Sequence, residues 1–254
     1  MRKPIFDVIR AQRGKGFTQK EVEAIDQMLD TLGIPRDEAP VVNPKPKNLP
    51  ESVAPTDDVG LDNPNDFFSS VKASLFRNSL KPDQKKGLEA VLAAAKDAGW
   101  PLAFVAYGLA TAYHETAYTM QPVVEAFWLS ESWRERNLRY YPYHGRGYVQ
   151  LTWKDNYERA DNELGLQGRL IADLDLALDA NIAARIMVRG MEEGWFCKDR
   201  SGNPYSLPRM VPKRGAGNHA QFKEARRIIN GKDKAATIAQ YAQKFQDALE
   251  AGGW

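Results

Sequence analysis

Cysteine and histidine are scarce in this chain of 254 residues, which has one cysteine and three histidines. A single thiol cannot form an intrachain disulfide, so folding does not depend on an oxidising compartment. The spacings typical of metal sites, such as HExxH or CxxC, do not occur. We therefore expect no metal ion and no other cofactor.

Long apolar runs are also missing. The N-terminal stretch MRKPIFDVIRAQRGKG lacks the apolar core of a signal peptide. No run reaches the ~18 apolar residues that a membrane-spanning helix needs. These features predict a protein that is made and folded in a cytoplasm, without stable membrane insertion. A substrate beyond the inner membrane would then require another protein to release the chain.

Charge of one sign is in small excess, since the formal net charge is +2. That excess is too small for a dedicated nucleic-acid-binding protein, so we expect no nucleic-acid partner. The charge is nevertheless uneven, with ten Lys and Arg against three acidic residues between Lys198 and Lys234. This segment indicates either a cationic surface for an anionic polymer or ordinary solvated helix faces.

Proline is concentrated in one segment, because seven of the fifteen prolines lie between Pro35 and Pro64. Neither helical nor strand periodicity persists there, which is typical of an extended linker. We predict three parts: a small helical hairpin at residues 1–34, a proline-rich linker at 35–65 and the main domain at 66–254. The hairpin buries little surface, so it is expected to pack on the main domain, a second copy or a partner such as the cell wall.

The main domain is predicted to be mainly α. Apolar residues recur at helical spacing through most of it, and strand patterns are few, with RGYVQLTW the best. Pro122 ends the second helix by about Gln121. The predicted helices cover residues 80–98, 101–118, 153–164, 181–194, 221–229 and 234–249.

Two glutamates close together in the sequence are candidates for acid/base chemistry. Glu115 shares a helical stripe with Thr111, Gly108 and Phe104, so its carboxyl group is expected to have few polar neighbours and to keep a proton. Glu125 follows Pro122 and is expected in a better solvated loop. One protonated and one ionised carboxyl group are what the cleavage of an acetal requires. A pair of solvated surface residues is the alternative interpretation.

The segment YYPYHGRGYVQLTWKDNY, residues 140–157, combines aromatic rings with amides and a hydroxyl group. Gln150 and Thr152 alternate with apolar residues, and Asn156 follows four positions after Thr152. Polar groups beside aromatic rings suit a sugar, whose hydroxyl groups accept and donate hydrogen bonds and whose apolar face stacks on a ring. Core packing is the alternative for such an aromatic segment.

Three motifs, AYHET at 112–116, GRGYVQLTWKDNY at 145–157 and ARRIING at 225–231, resemble the signatures of family 19 glycoside hydrolases. The phage endolysins of that family are the most similar members. The resemblance covers about residues 67–250, with the motifs in the family's order. It implies a lysozyme-like helical catalytic domain, preceded here by the hairpin.

The resemblance also implies a role for each candidate residue. Glu115 would be the general acid, while Glu125 and Thr152 would position or activate the attacking water. The segment between Glu125 and Gly145 is shorter than in many relatives, which leaves Glu131 and Glu135 as substitutes for the second carboxylate. Arg146 would brace its loop, and Asn230 has a helix C-cap as its alternative role. The sugar-binding residues would be Gln150, Asn156, Tyr157, Asn230 and Tyr148.

The function that the resemblance implies is that of an endolysin. Such an enzyme cleaves the β-1,4 glycosidic bonds of peptidoglycan glycan strands by inversion and lyses the bacterial host. We expect a monomer that is released from the host cytoplasm to the periplasm and cell wall with the help of a holin. A chitinase of the same fold and a non-catalytic wall-binding protein are the alternatives.

Overall fold

A computed structural model describes Met28 and residues 58–254 of the chain. The predicted hairpin and most of the predicted linker lie outside these residues. The described residues fall into two units, of which one contains Ala126–Arg139 and the other contains residues 58–125 and 140–254. The structure has 58% helix and 4% strand, which confirms the mainly α prediction.

Ten α-helices and one pair of short strands form residues 58–254. The helices are α1 (Pro64–Ser74), α2 (Pro82–Asp97), α3 (Leu102–Glu115), α4 (Glu131–Asn137), α5 (Lys154–Glu163), α6 (Arg169–Ala172), α7 (Ala180–Glu193), α8 (Leu207–Met210), α9 (His219–Ala225) and α10 (Ala235–Gly252). The strands are β1 (Val123–Val124) and β2 (Arg146–Gly147). Short 3-10 helices cover Leu174–Leu178 and Arg226–Ile228.

Helix α3 lies at the centre of the larger unit. Every residue from Ala103 to Tyr113 is buried, as expected from a helix that is apolar on all faces. Its most extensive packing is against α10, which buries Ile238, Phe245 and Leu249 as its periodicity predicts. The last residue of α3 is Glu115, so the buried helix places this glutamate at the end of a rigid element.

The surrounding helices follow the predicted positions closely. Helix α2 buries the predicted face of Leu88, Val91, Leu92 and Ala95 and packs against α7. Asp179 is the N-cap of α7, and its side chain accepts hydrogen bonds from the backbone amides of Asn181 and Ile182. Gly194, in the left-handed conformation, is the C-cap of the same helix. Only the 221–229 prediction is divided, into α9 and the 3-10 turn that follows it.

The predicted strand RGYVQLTW is mostly wrong. Only Arg146 and Gly147 pair with β1, and the chain then turns so that Arg146 bridges back to Leu151. Gly147 has a φ of 86°, and a Cβ atom there would lie 2.9 Å from the carbonyl oxygen of Ala177. This close approach makes a tight hairpin of a segment whose alternating residues suggested an extended strand.

The segment before α1 packs on the end of α10. The amide of Asn63 donates to the carbonyl oxygen of Gly252, and Leu61 lies against the same glycine. Asp58 forms an ion pair with Lys96 at the end of α2. The indole nitrogen of Trp254 donates to the carbonyl oxygen of Trp100, 3.1 Å away, just before α3. None of the helices in the described part of the chain is long and apolar enough to cross a membrane.

Candidate carbohydrate-cleaving site

Glu115 is held by a buried arginine. Nη1 of Arg226 donates to Oε1 of Glu115 over 2.5 Å, and Nε of Arg226 donates to the carbonyl oxygen of Asp233 over 2.9 Å. The Arg226 side chain is 2% exposed and that of Glu115 is 17% exposed. The guanidinium group therefore fixes the carboxyl group at the end of α3 while one edge of that group reaches solvent.

The prediction that Glu115 has few polar neighbours is wrong. Helical spacing describes only the neighbours on α3, whereas Arg226 comes from the turn after α9, 111 positions further along the chain. The sequence contained one signal for this contact, because Arg226 belongs to the ARRIING motif. The resemblance gives a role in that motif to Asn230, which is exposed and follows the 3-10 turn.

Glu125 directly follows β1 and is held by neutral donors. The hydroxyl group of Tyr140 donates to Oε1 over 2.7 Å, and the amide of Gly145 donates to Oε2 over 2.9 Å. The backbone amide of Glu125 also donates to the carbonyl oxygen of Gly145. Two hydrogen bonds to its oxygens fix the orientation of the Glu125 carboxyl group, as a group that accepts a proton from water would need.

The two glutamates have different partners, although the partner of Glu115 is not what its sequence surroundings suggested. Glu115 contacts a buried cation, whereas Glu125 contacts a tyrosine hydroxyl and a backbone amide. The substitutes Glu131 and Glu135 lie on α4, in the other unit. There Glu131 is paired with Arg134, which also donates to the carbonyl oxygens of Ala126 and Leu129.

Three residues in and just after the turn between Arg146 and Leu151 were expected to bind sugar. Each of them donates a side-chain hydrogen bond to a backbone carbonyl oxygen. The amide of Gln150 donates to the carbonyl oxygen of Val123, which fastens the hairpin to β1. The hydroxyl of Thr152 donates to the carbonyl oxygen of Gln150. The side-chain amide of Asn156 donates to the carbonyl oxygen of Thr152. All three side chains are partly exposed. The hydroxyl oxygen of Thr152 and the side-chain amide oxygen of Asn156, at the start of α5, can each accept a hydrogen bond from a ligand.

Tyr148 and Tyr157 have no exposed surface. The hydroxyl of Tyr148 donates to the carbonyl oxygen of Met120, and that of Tyr157 donates to the carbonyl oxygen of His144. Burial raises the pKa of Tyr157 to about 12, so the hydroxyl group stays neutral. Both rings brace the hairpin from inside, which places them out of reach of a sugar on the surface.

Arg146 has the bracing role that we expected. Its buried guanidinium group pairs with Asp175 through Nε and donates from Nη1 to the hydroxyl of Tyr157. Nη1 also donates to the carbonyl oxygens of Pro142 and His144. These contacts fasten the loop that carries the amide partner of Glu125.

Trp153 presents an apolar surface beside this network. Its ring is 45% exposed and meets the ring of Tyr140 edge to face, with 5.0 Å between centroids. Tyr140 in turn donates to Glu125. Sequence reasoning named neither Tyr140 nor Trp153 as a site residue, because an aromatic-rich segment does not reveal which rings are exposed.

No group of three or more His, Cys, Asp or Glu side chains within residues 58–254 has the geometry to hold a metal ion. Cys197 is partly buried, and burial raises the pKa of its thiol. In the basic segment, Asp199 pairs with Arg209 and Glu224 pairs with Arg227. Seven further Lys and Arg residues are exposed there: Lys198, Arg200, Lys213, Arg214, Lys223, Lys232 and Lys234.

No protein-family model, curated protein or solved structure matches this chain significantly.

Proposed function

We propose that this chain is a peptidoglycan hydrolase of the endolysin type, with a lysozyme-like catalytic domain. It cleaves the β-1,4 bonds between N-acetylmuramic acid and N-acetylglucosamine. The observation that carries the proposal is that two carboxyl groups are each held in a fixed orientation, Glu115 by a buried guanidinium group and Glu125 by two neutral donors. A fixed acid and a fixed base are what the cleavage of a glycosidic bond requires.

In this mechanism Glu115 is the general acid. Arg226 engages Oε1 and fixes the carboxyl group, which leaves Oε2 as the oxygen that gives a proton to the leaving oxygen of the glycosidic bond. Glu125, oriented by Tyr140 and Gly145, accepts a proton from the attacking water, which the hydroxyl of Thr152 helps to position. The sugar ring stacks on Trp153, and the amides of Gln150 and Asn156 contact its polar groups.

The reaction inverts the anomeric carbon, because the water attacks from the face opposite to the leaving group. Inversion requires carboxyl groups about 6.5–9.5 Å apart, whereas a retaining enzyme holds them about 5–5.5 Å apart. Freshly cleaved strands should carry an α reducing end. NMR of the products during the first minutes tests this, and an initial β product would exclude inversion.

The excess of exposed basic residues between Lys198 and Lys234 supports an anionic polymer such as the cell wall as the substrate. The proposed enzyme accumulates in the host cytoplasm and reaches the wall through a holin. A chitinase would instead turn over chitin oligomers faster than peptidoglycan, and a non-catalytic wall-binding protein would cleave neither.

The decisive experiment replaces Glu115 by Gln in the full chain. Glu115→Gln removes the proton donor but keeps the shape of the side chain, so release of reducing ends from purified peptidoglycan should fall below a few per cent of the wild-type rate. Glu125→Gln should also be slow, and Thr152→Ala should be milder. Full activity of Glu125→Gln would transfer the base role to Glu131 or Glu135. Activity of Glu115→Gln near the wild-type level would refute the mechanism.

A further inference from the structure

Two aromatic residues in the stretch 58–254 combine an exposed ring with a left-handed backbone. Tyr118 has a φ of 70° and is 46% exposed, and Trp153 has a φ of 74° and is 45% exposed. The left-handed conformation is strained for a bulky residue, and an exposed ring gains little from the core. Such strain is typical of residues that contact a ligand. Trp153 already belongs to the proposed site, but Tyr118 does not.

The segment around Tyr118 is strained over several residues, yet its backbone is firmly held. Ala117 and Met120 also have positive φ values, of 49° and 54°. The amide of Tyr118 donates to the carbonyl oxygen of Tyr113, and its own carbonyl oxygen accepts from the side-chain amide of Gln84 over 2.9 Å. The exposed ring is therefore presented in a fixed position three residues after Glu115.

Tyr118 belongs to an aromatic group that extends to the residue beside Glu115. Its ring lies 4.7 Å from that of Tyr113 and 6.2 Å from that of Tyr241, measured between centroids. Tyr241 also lies 6.5 Å from the ring of His114, which directly precedes Glu115. The exposed ring is thus joined to the end of α3 by a short series of ring contacts.

The polar edge of this group consists of two tyrosine hydroxyl groups. The oxygens of Tyr118 and Tyr241 lie 3.4 Å apart. Burial, followed by the hydrogen bond with Tyr118, raises the pKa of Tyr241 to about 12, so its hydroxyl group remains neutral at physiological pH. Two adjacent hydroxyl groups both donate and accept hydrogen bonds, which matches the hydroxyl groups of a sugar better than a charged ligand.

We propose that Tyr118 is a glycan-stacking residue, whose exposed ring takes the apolar face of a pyranose in a β-1,4-linked strand. The Tyr118 and Tyr241 hydroxyl groups then meet the polar edge of that sugar. This inference rests on the proposed function, because Glu115 defines where the scissile bond lies. A strand that stacks on both Tyr118 and Trp153 is held on two rings, each within three residues of a proposed catalytic residue.

The variant Tyr118→Gly separates binding from folding. Glycine adopts the left-handed conformation without strain, and this gain offsets the loss of the ring contacts with Tyr113 and Tyr241, so the thermal midpoint should change little. We expect the KM for peptidoglycan to rise about fivefold and kcat to stay within about twofold, since an aromatic contact contributes this much affinity. Release of reducing ends by the full chain gives both constants. Tyr118→Phe keeps the ring but loses the hydroxyl group, so its KM should lie between those of the wild type and Tyr118→Gly.

Ala117→Gly is the matched control. It relieves the strain of the neighbouring exposed residue without removing a ring, so its KM should equal that of the wild type. The proposal is overturned if Tyr118→Gly keeps the wild-type KM, or if Ala117→Gly raises KM by the same factor. The latter outcome would attribute the effect to the flexibility of the segment.

Binding measurements distinguish failure of this inference from failure of the proposed function. Calorimetry with peptide-free glycan strands compares the wild type, Tyr118→Gly and Ala117→Gly. If the wild type cleaves no faster than Glu115→Gln, the proposed function fails, and Tyr118 is judged by binding alone. The stacking role is supported if Tyr118→Gly binds the strands more weakly than the wild type and Ala117→Gly binds them equally well. Equal binding by all three proteins, or no binding by the wild type, would reject it.

Discussion

At the scale of single residues, Arg226 has the most demanding environment in the site. Its guanidinium group is almost fully buried between Glu115 and the carbonyl oxygen of Asp233. Removing one partner of a buried ion pair leaves the other charge uncompensated, which costs about 3 kcal/mol or more. An exposed pair is worth about 1 kcal/mol at most.

We therefore predict that Arg226→Met lowers the free energy of unfolding by about 3 kcal/mol and reduces kcat at least about tenfold. Both effects are expected because Glu115 loses its ion pair with Arg226. Arg227→Met is the control, since Arg227 pairs with the exposed Glu224 and should change each quantity little. Urea unfolding and reducing-end release measure the two effects. Equal effects of the two substitutions would contradict the assigned role of Arg226.

The imidazole of His114 is expected to make the free energy of unfolding depend on pH. Burial is the main cause that lowers its pKa from the ordinary value of 6.5, and Nδ1 is buried without a hydrogen-bond partner. Because the unfolded chain takes up the proton first, the stabilising contribution of neutral His114 is complete above about pH 6.5 and is lost as the pH falls through the folded-state pKa.

Between about pH 7.5 and about pH 5, the wild type should thus lose more unfolding free energy than His114→Phe, which keeps a ring beside Tyr241 but binds no proton. Thermal or urea unfolding at a series of pH values measures the difference. Parallel pH dependence of the two proteins would show that His114 titrates alike in the folded and unfolded chains.

At the scale of elements, the contact between α2 and the segment after α3 fixes where Tyr118 lies. A Cβ atom at Gly87 would approach the carbonyl oxygen of Met120 to 1.7 Å, and backbone cannot yield as a flexible side chain does. Gly87→Ala should therefore lower the free energy of unfolding by at least about 2 kcal/mol and displace the segment that follows Glu115.

Gly165→Ala is the control for Gly87→Ala. Gly165 has a φ of 64°, but a Cβ atom there meets nothing within 4 Å, so only backbone strain of about 1 kcal/mol is expected. Calorimetric unfolding compares the two variants. If the two substitutions lower the free energy of unfolding equally, the close approach of α2 to Met120 does not limit how α2 packs on this segment.

Six of the ten helices within residues 58–254 could be predicted from the sequence because each carries its own periodicity and end signals, whereas α1, α4, α6 and α8 were not among the predicted helices. The apolar stripe and Pro82 indicate α2, and Asp179 and Gly194 mark the ends of α7. The hairpin after Arg146 could not be predicted, because the carbonyl oxygen of Ala177 that approaches Gly147 is distant in the sequence. Periodicity describes one element at a time.

The candidate site was predictable to the same extent. The AYHET motif indicated Glu115, and closeness in the sequence indicated Glu125, but neither indicated the partners that hold the two glutamates. Arg226, Tyr140 and the exposed rings became evident only when separate elements were brought together. The same limit explains why Tyr148 and Tyr157 were expected to bind sugar, since burial depends on packing between elements.

At the scale of the whole chain, the segment before α1 makes contacts that a boundary at residue 66 would remove. The ion pair of Asp58, the side chain of Leu61 and the amide of Asn63 all meet α2 or the end of α10. A chain beginning at residue 58 should therefore unfold at a higher temperature than one beginning at residue 66. Equal midpoints would show that the segment adds no stability. Both proteins contain every proposed catalytic residue and should cleave purified peptidoglycan.

The link between Glu115 and Arg226 also sets the order of events during synthesis on the ribosome. Helix α3 emerges more than a hundred residues before the arginine that orients its terminal glutamate, and α10, its main packing partner, emerges last. A nascent chain therefore has no assembled site until the residues of α10 have left the exit tunnel. Under the proposed function, a chain terminated before α10 would have no hydrolytic activity.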